Sequence, residues 1–112
     1  MHYSAVEIIH IDAYVLDVLM RDLIGHDREP CAFFVYLWLW TAGERLASRT
    51  IPASYQRIAN GTGLSKSSVQ KAIAHLLRRK LITVTRKSPT ATPAYTLHRH
   101  WRRRRARLQV PA

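Results

Sequence analysis

Cysteine is almost missing from this chain. Cys31 is the only one in 112 residues, so no internal disulfide can form, and such usage suits a reducing compartment such as the cytoplasm. Long hydrophobic runs are missing too. The longest, Cys31 to Trp40, is well short of the ~20 apolar residues that cross a bilayer, so no membrane span is expected. The N-terminus has no early Lys or Arg, and Glu7, His10 and Asp12 interrupt its apolar positions, unlike a secretory leader. The most informative absence is that of acid. Residues 48–112 contain no Asp or Glu but fifteen Lys and Arg, whereas residues 1–47 hold all seven acids against three basic residues. The net charge of +11 is therefore concentrated in one half. A globular half without carboxylates repels itself unless a polyanion lies against it, and nucleic acid is the usual one. Anionic lipid is the weaker reading, because no exposed apolar face accompanies the basic one.

Catalytic patterns are missing as well. There is no HExxH, no phosphate-cradling glycine loop and no nucleophile elbow, and the carboxylates are scattered through the N-terminal half. The six histidines lack a cysteine partner set; His98 and His100 could share a metal only as a two-residue pair on a strand. The expectation is no enzyme, no metal and no cofactor. Cys31 opens an apolar run, which favours an inert buried thiol over a redox sensor.

What is present centres on Ser54 to Lys80. Tyr55 to Asn60 gives a short helix that sets Ile58 and Ala59 side by side, and Gly61-Thr62-Gly63 is expected to break it. Ser65 is a good N-cap, able to accept a backbone N–H from Ser67 or Ser68, so a second helix starts there and runs to about Arg79. Val69, Ala72, Ile73, Leu76 and Leu77 recur at spacings of three and four, a core-facing stripe, with Lys66, Ser67, Gln70, Lys71 and Arg78 on the other side and His75 near its edge. Small Ala59 permits two helices to cross at roughly 90 to 120°. An ordinary helical hairpin would satisfy this much.

The following residues discriminate. Leu81 to Thr85 is β-branched and reads as a strand, and Ala94 to His98 as its return, with a basic, proline-marked loop between them. The series Ser54, Ile58-Ala59, Gly63-Leu64-Ser65-Lys66-Ser67-Ser68-Val69, Ala72-Ile73, Leu76 and Leu81-Ile82 resembles the winged helix-turn-helix of bacterial transcriptional regulators, of GntR-type and MarR-like kind. The resemblance covers about residues 31–99. It implies a mainly α fold with a small β-hairpin, and Thr50-Ile51-Pro52 pairing with that hairpin as a third strand.

Around this module the chain divides into 1–29, an N-terminal helix for support or dimerisation; 30–99, the module itself; and 100–112, an arginine-rich tail. In residues 5–24 the stripe Ile9, Ala13, Leu16, Leu19, Met20 and Leu23 marks the helix, and Gly25 is expected to end it. Pro30 suits the first turn of the next helix, which reaches Leu46 or Ala47 and is apolar all round at CAFFVYLWLW. Phe34, Tyr36, Trp38 and Trp40 then need covering by the N-terminal helix, by a second protomer, or by both. A homodimer is expected, against the alternative of a helix that only completes a monomer core.

The resemblance implies double-stranded DNA binding by a repressor-type regulator located in the cytoplasm, at the nucleoid. Lys66, Ser67, Ser68, Gln70 and Lys71 occupy the base-reading positions, where Gln70 can pair with adenine and either lysine with guanine. Ser54, Arg57, Ser65, His75, Arg78 and Arg79 would contact the backbone, as would Arg86 and Lys87 on the wing and Arg102, Arg103, Arg104 and Arg105 in the tail. Two alternatives stay open: a plasmid or phage replication initiator or DNA-architecture protein, and a winged helix used for RNA or protein interaction.

Overall fold

The structure, a computed structural model, describes residues 6–102. Its organising element is α1, Pro30–Leu46, which starts on Pro30 at its first turn and closes on Ala47 in the left-handed region. Ala47 and Ser48 donate to the carbonyls of Glu44 and Gly43, satisfying the end of the helix where glycine would be usual. The strand β1, Thr50–Pro52, leads into α2, Tyr55–Thr62, and α3, Lys66–Arg78. The strands β2, Ile82–Thr85, and β3, Ala94–Leu97, complete an antiparallel three-stranded sheet in the order β1-β3-β2. Ile51 stands opposite Tyr95, and Ile82 opposite Leu97. The result is a mainly helical domain with a small three-stranded sheet.

One core runs through it. Val35, Tyr36, Leu39 and Trp40 of α1 meet Ile58 of α2, Val69, Ala72 and Leu76 of α3, and Ile51, Tyr95 and Leu97 of the sheet, all fully buried or nearly so. This is the apolar stripe expected of the helix after Ser65. α2 departs from expectation. It continues through Gly61 and Thr62 and ends only at Gly63, whose φ of 79° is the left-handed conformation that glycine adopts without steric cost. Gly61 serves a different purpose, since a Cβ there would overlap the Trp38 indole of α1. Close approach, not chain reversal, requires glycine at that position.

The N-terminal element also departs from the expected stripe. Residues 6–12 form no helix, and the winding that follows is π-helical over Val15–Leu19 and Arg21–His26, with Gly25 inside it. Hydrogen bonds five residues back, such as the Asp27 amide to Asp22, widen the helix and bring every fourth residue toward one line. Val15, Leu19 and Leu23 therefore form the buried line, while Leu16 and Met20 are exposed. A spacing reading based on 3.6 residues per turn selects the wrong neighbours here.

The apolar circumference of α1 is covered from several directions. The Trp40 indole N–H donates to the His10 carbonyl at 2.7 Å, and the Tyr36 hydroxyl to the His98 carbonyl at 3.3 Å. Phe34 is the large aromatic of α1 left exposed. Among the described residues no helix is long and apolar enough to cross a membrane.

Candidate nucleic-acid interface

Ser65 opens α3 in extended conformation and its Oγ accepts the Ser68 amide at 3.1 Å, as the cap requires. The Ser65 hydroxyl in turn donates to Ser68 Oγ at 2.9 Å, so Ser68 belongs to the cap and is half-buried. Lys66, Ser67, Gln70 and Lys71 lie on the exposed side of the first two turns. Val69, Ala72 and Ile73 hold that side outward by anchoring the opposite one in the core. Four of the five residues expected to read bases are thus brought together on one open surface, and the fifth supports them.

Around this surface, Ser54 caps α2 by accepting the Arg57 amide at 3.1 Å. The Arg57 guanidinium donates to the Pro52 carbonyl at 3.1 Å and lies over the Trp38 ring at 5.7 Å, while Arg57 stays exposed. Arg86 and Lys87 are exposed in the loop between β2 and β3, and the Arg86 guanidinium reaches the Ala91 carbonyl at 3.4 Å. Among the described residues, no carboxylate forms an ion pair with Arg57, Lys66, Lys71, Arg78, Arg86 or Lys87.

Other candidates have protein partners instead. Asp27, at the end of the N-terminal helix, accepts from His75 Nε2 at 2.8 Å and from Arg79 Nε at 2.9 Å, and also meets His26 Nδ1 at 2.9 Å. Arg79 lies in addition 3.9 Å from Asp22. Burial pushes the Asp27 carboxyl up, but hydrogen bonds from His26 and His75 and the Arg79 charge outweigh it, leaving the group below its ordinary value. His75 and Arg79 therefore tie α3 to the N-terminal helix, with His75 largely covered and Arg79 still exposed.

Arg102 is likewise engaged. It binds Asp12 through two nitrogens at 2.6 and 2.8 Å, and the same carboxylate accepts the Trp101 indole N–H at 2.7 Å. The hydrogen bond from Arg102 is the main reason the Asp12 carboxyl is held down to about 2. Trp101 stacks on Tyr14 at 4.5 Å and lies 6.4 Å from Trp40. The start of the expected tail is thus bound to the N-terminal segment, a connection that residue spacing gave no reason to expect. Arg103, Arg104 and Arg105 lie outside the described residues.

His98 and His100, the two-residue pair, stack at 5.9 Å. Their Nε2 atoms pair with Thr83 Oγ1 at 3.1 Å and with the Lys80 carbonyl at 2.9 Å. Sequence reasoning also passed over Arg49 and Arg99, which lie beside them in a second basic cluster; neither stands in a recognisable pattern. Comparison with protein-family models, with curated proteins and with solved structures finds no match to this chain.

Proposed function

We propose that the chain is a sequence-specific double-stranded DNA-binding protein of winged helix-turn-helix type, a transcriptional regulator acting as a repressor. The observation that carries this reading is the exposed first half of α3, with Lys66, Ser67, Gln70 and Lys71 together and no carboxylate paired to its lysines. A carboxylate-free cationic surface on a helix set outward by its own core stripe suits the major groove, and the α3 N-terminus adds backbone N–H groups that favour phosphate. The loop with Arg86 and Lys87 corresponds to a wing that tracks the neighbouring backbone. The strand order β1-β3-β2 around α2 and α3 supports the same architecture.

The functional unit in this reading is a homodimer. Its support is the second line of the N-terminal helix, Leu16, Met20 and Ile24, exposed by 44%, 40% and 36%. A two-fold pair of reading helices requires half-sites about 34–36 Å apart or a multiple of this.

Selection of bound fragments from sheared genomic DNA, followed by sequencing, tests both statements. The expected result is a palindromic site, at which Gln70→Ala changes sequence preference while Arg86→Ala weakens all sites alike and flattens the salt slope by about one unit. Recovery of fragments without any common sequence would remove the proposal of sequence-specific reading.

A further inference from the structure

A second basic cluster lies at the far end of α3 from Lys66. Arg49, which precedes β1, His98, Arg99 and His100, which follow β3, and Arg102 line a recess of about 230 Å³. His100 reaches the Lys80 carbonyl and the His98 amide donates to Leu81, so the recess sits where α3 has ended. With 13 residues between its two ends, α3 separates this recess from its own N-terminus by roughly 18 Å.

The cations of the recess are unequally satisfied. Arg49 donates twice to the Leu97 carbonyl, at 2.9 and 3.3 Å, and Arg102 is paired with Asp12. Arg99 is different. Its guanidinium lies 4.0 Å from the Trp40 ring centre, and its Nε is buried with no hydrogen-bond partner among the described residues. Burial, then repulsion from Arg102, hold Arg99 below the ordinary arginine value. A buried guanidinium N–H without an acceptor is costly, and a multiply charged oxyanion would supply acceptors to this group and to its neighbours together.

We propose that this recess binds the phosphate group of a small phosphorylated ligand, with Arg99 as the central donor and Arg49, Arg102, His98 and His100 around it. The recess is smaller than the roughly 300 Å³ at which drug-sized pockets begin, which suits a phosphate or pyrophosphate moiety. The choice of a free ligand over a backbone phosphate rests on the DNA reading given above, in which a duplex occupies the opposite end of α3 and the wing. Phosphate binding itself does not depend on that reading.

The test is a titration of the full chain with inorganic pyrophosphate at constant ionic strength, followed through the Arg99 Nε–Hε resonance. Saturable movement of that resonance is expected, together with those of His98 and His100, with affinity reduced at least tenfold in Arg99→Lys. Duplex DNA added to the saturated protein is expected to leave pyrophosphate bound, as read from the ligand's own phosphorus resonance. Absence of saturable movement in the wild-type protein overturns the site, whatever the variant does to folding. Unchanged affinity in a folded Arg99→Lys protein overturns the role given to Arg99. Release of pyrophosphate into solution on adding duplex would identify the occupant as nucleic-acid phosphate and overturn the assignment to a free ligand.

Discussion

The two ends of α3 carry similar side chains in opposite circumstances. At its start, Lys66 and Lys71 are exposed without an acidic partner, whereas at its end His75 and Arg79 converge on Asp27. Both ends are basic in sequence, but only at the second do α3 side chains meet a carboxylate. The seven acids of the N-terminal half are not a detached counterweight to the basic half. Asp12, Asp22 and Asp27 are directed to named cations of the C-terminal half, and these pairs lie along the seam between the N-terminal segment, the end of α3 and the residues after β3. What distinguishes the proposed binding face from the structural one in this molecule is therefore the position of the carboxylates.

Substitutions at the two ends should separate accordingly. Reversing charge at the open end has the largest expected effect: Lys71→Glu should weaken duplex binding on the order of 100-fold, about 3 kcal/mol, with little change in thermal stability. Binding isotherms and melting curves check both halves of that statement. At the closed end the effect should move to stability. Asp27→Ala leaves His75 and Arg79 without their shared acceptor, and a loss of about 2 kcal/mol in urea unfolding is expected. Affinity per folded molecule should stay near that of the wild type. If Asp27→Ala abolished duplex binding while leaving stability intact, the contrast between the two ends would fail.

The smallest expected effect concerns acid. Asp12 titrates at about 2 in the folded chain, below its usual 3.8, so its stabilising contribution is complete above pH ~4 and is lost as pH falls through about 2. The shift corresponds to at most roughly 2 kcal/mol, and screening at a carboxylate with 27% of its side chain exposed reduces this to about 1 kcal/mol. Asp12→Asn should therefore lower stability at neutral pH by about 1 kcal/mol and flatten the acid limb of the unfolding profile, as read from denaturation midpoints between pH 2 and 5.

Local signals made much of the helical and strand order legible. Ser65 declared itself as a cap, Pro30 as a first-turn residue, and the stripe from Val69 to Leu76 as a buried face, because each depends on chemistry within one turn of chain. Features set by contacts between distant residues were not legible. Gly61 looks like a turn residue until Trp38 is seen against it, and the N-terminal stripe reads differently once the helix is wound with five-residue hydrogen bonds. The same limit applied to the candidate interface. The exposed group on α3 followed from periodicity, but the use of His75, Arg79 and Arg102 as seam residues depends on partners 48 to 90 positions away, with Asp27 and Asp12 too far along the chain for spacing to reveal them.

In the proposed function, nucleic acid lies on the carboxylate-free side of α3. The most direct measurement is a map of backbone amide shifts as the duplex recovered from genomic selection is added to the labelled protein. Movement concentrated at Lys66 to Lys71 and at Arg86 and Lys87, with Asp12, Asp27 and Arg79 undisturbed, is the expected result. Movement confined to the seam, with the start of α3 unaffected, would contradict it.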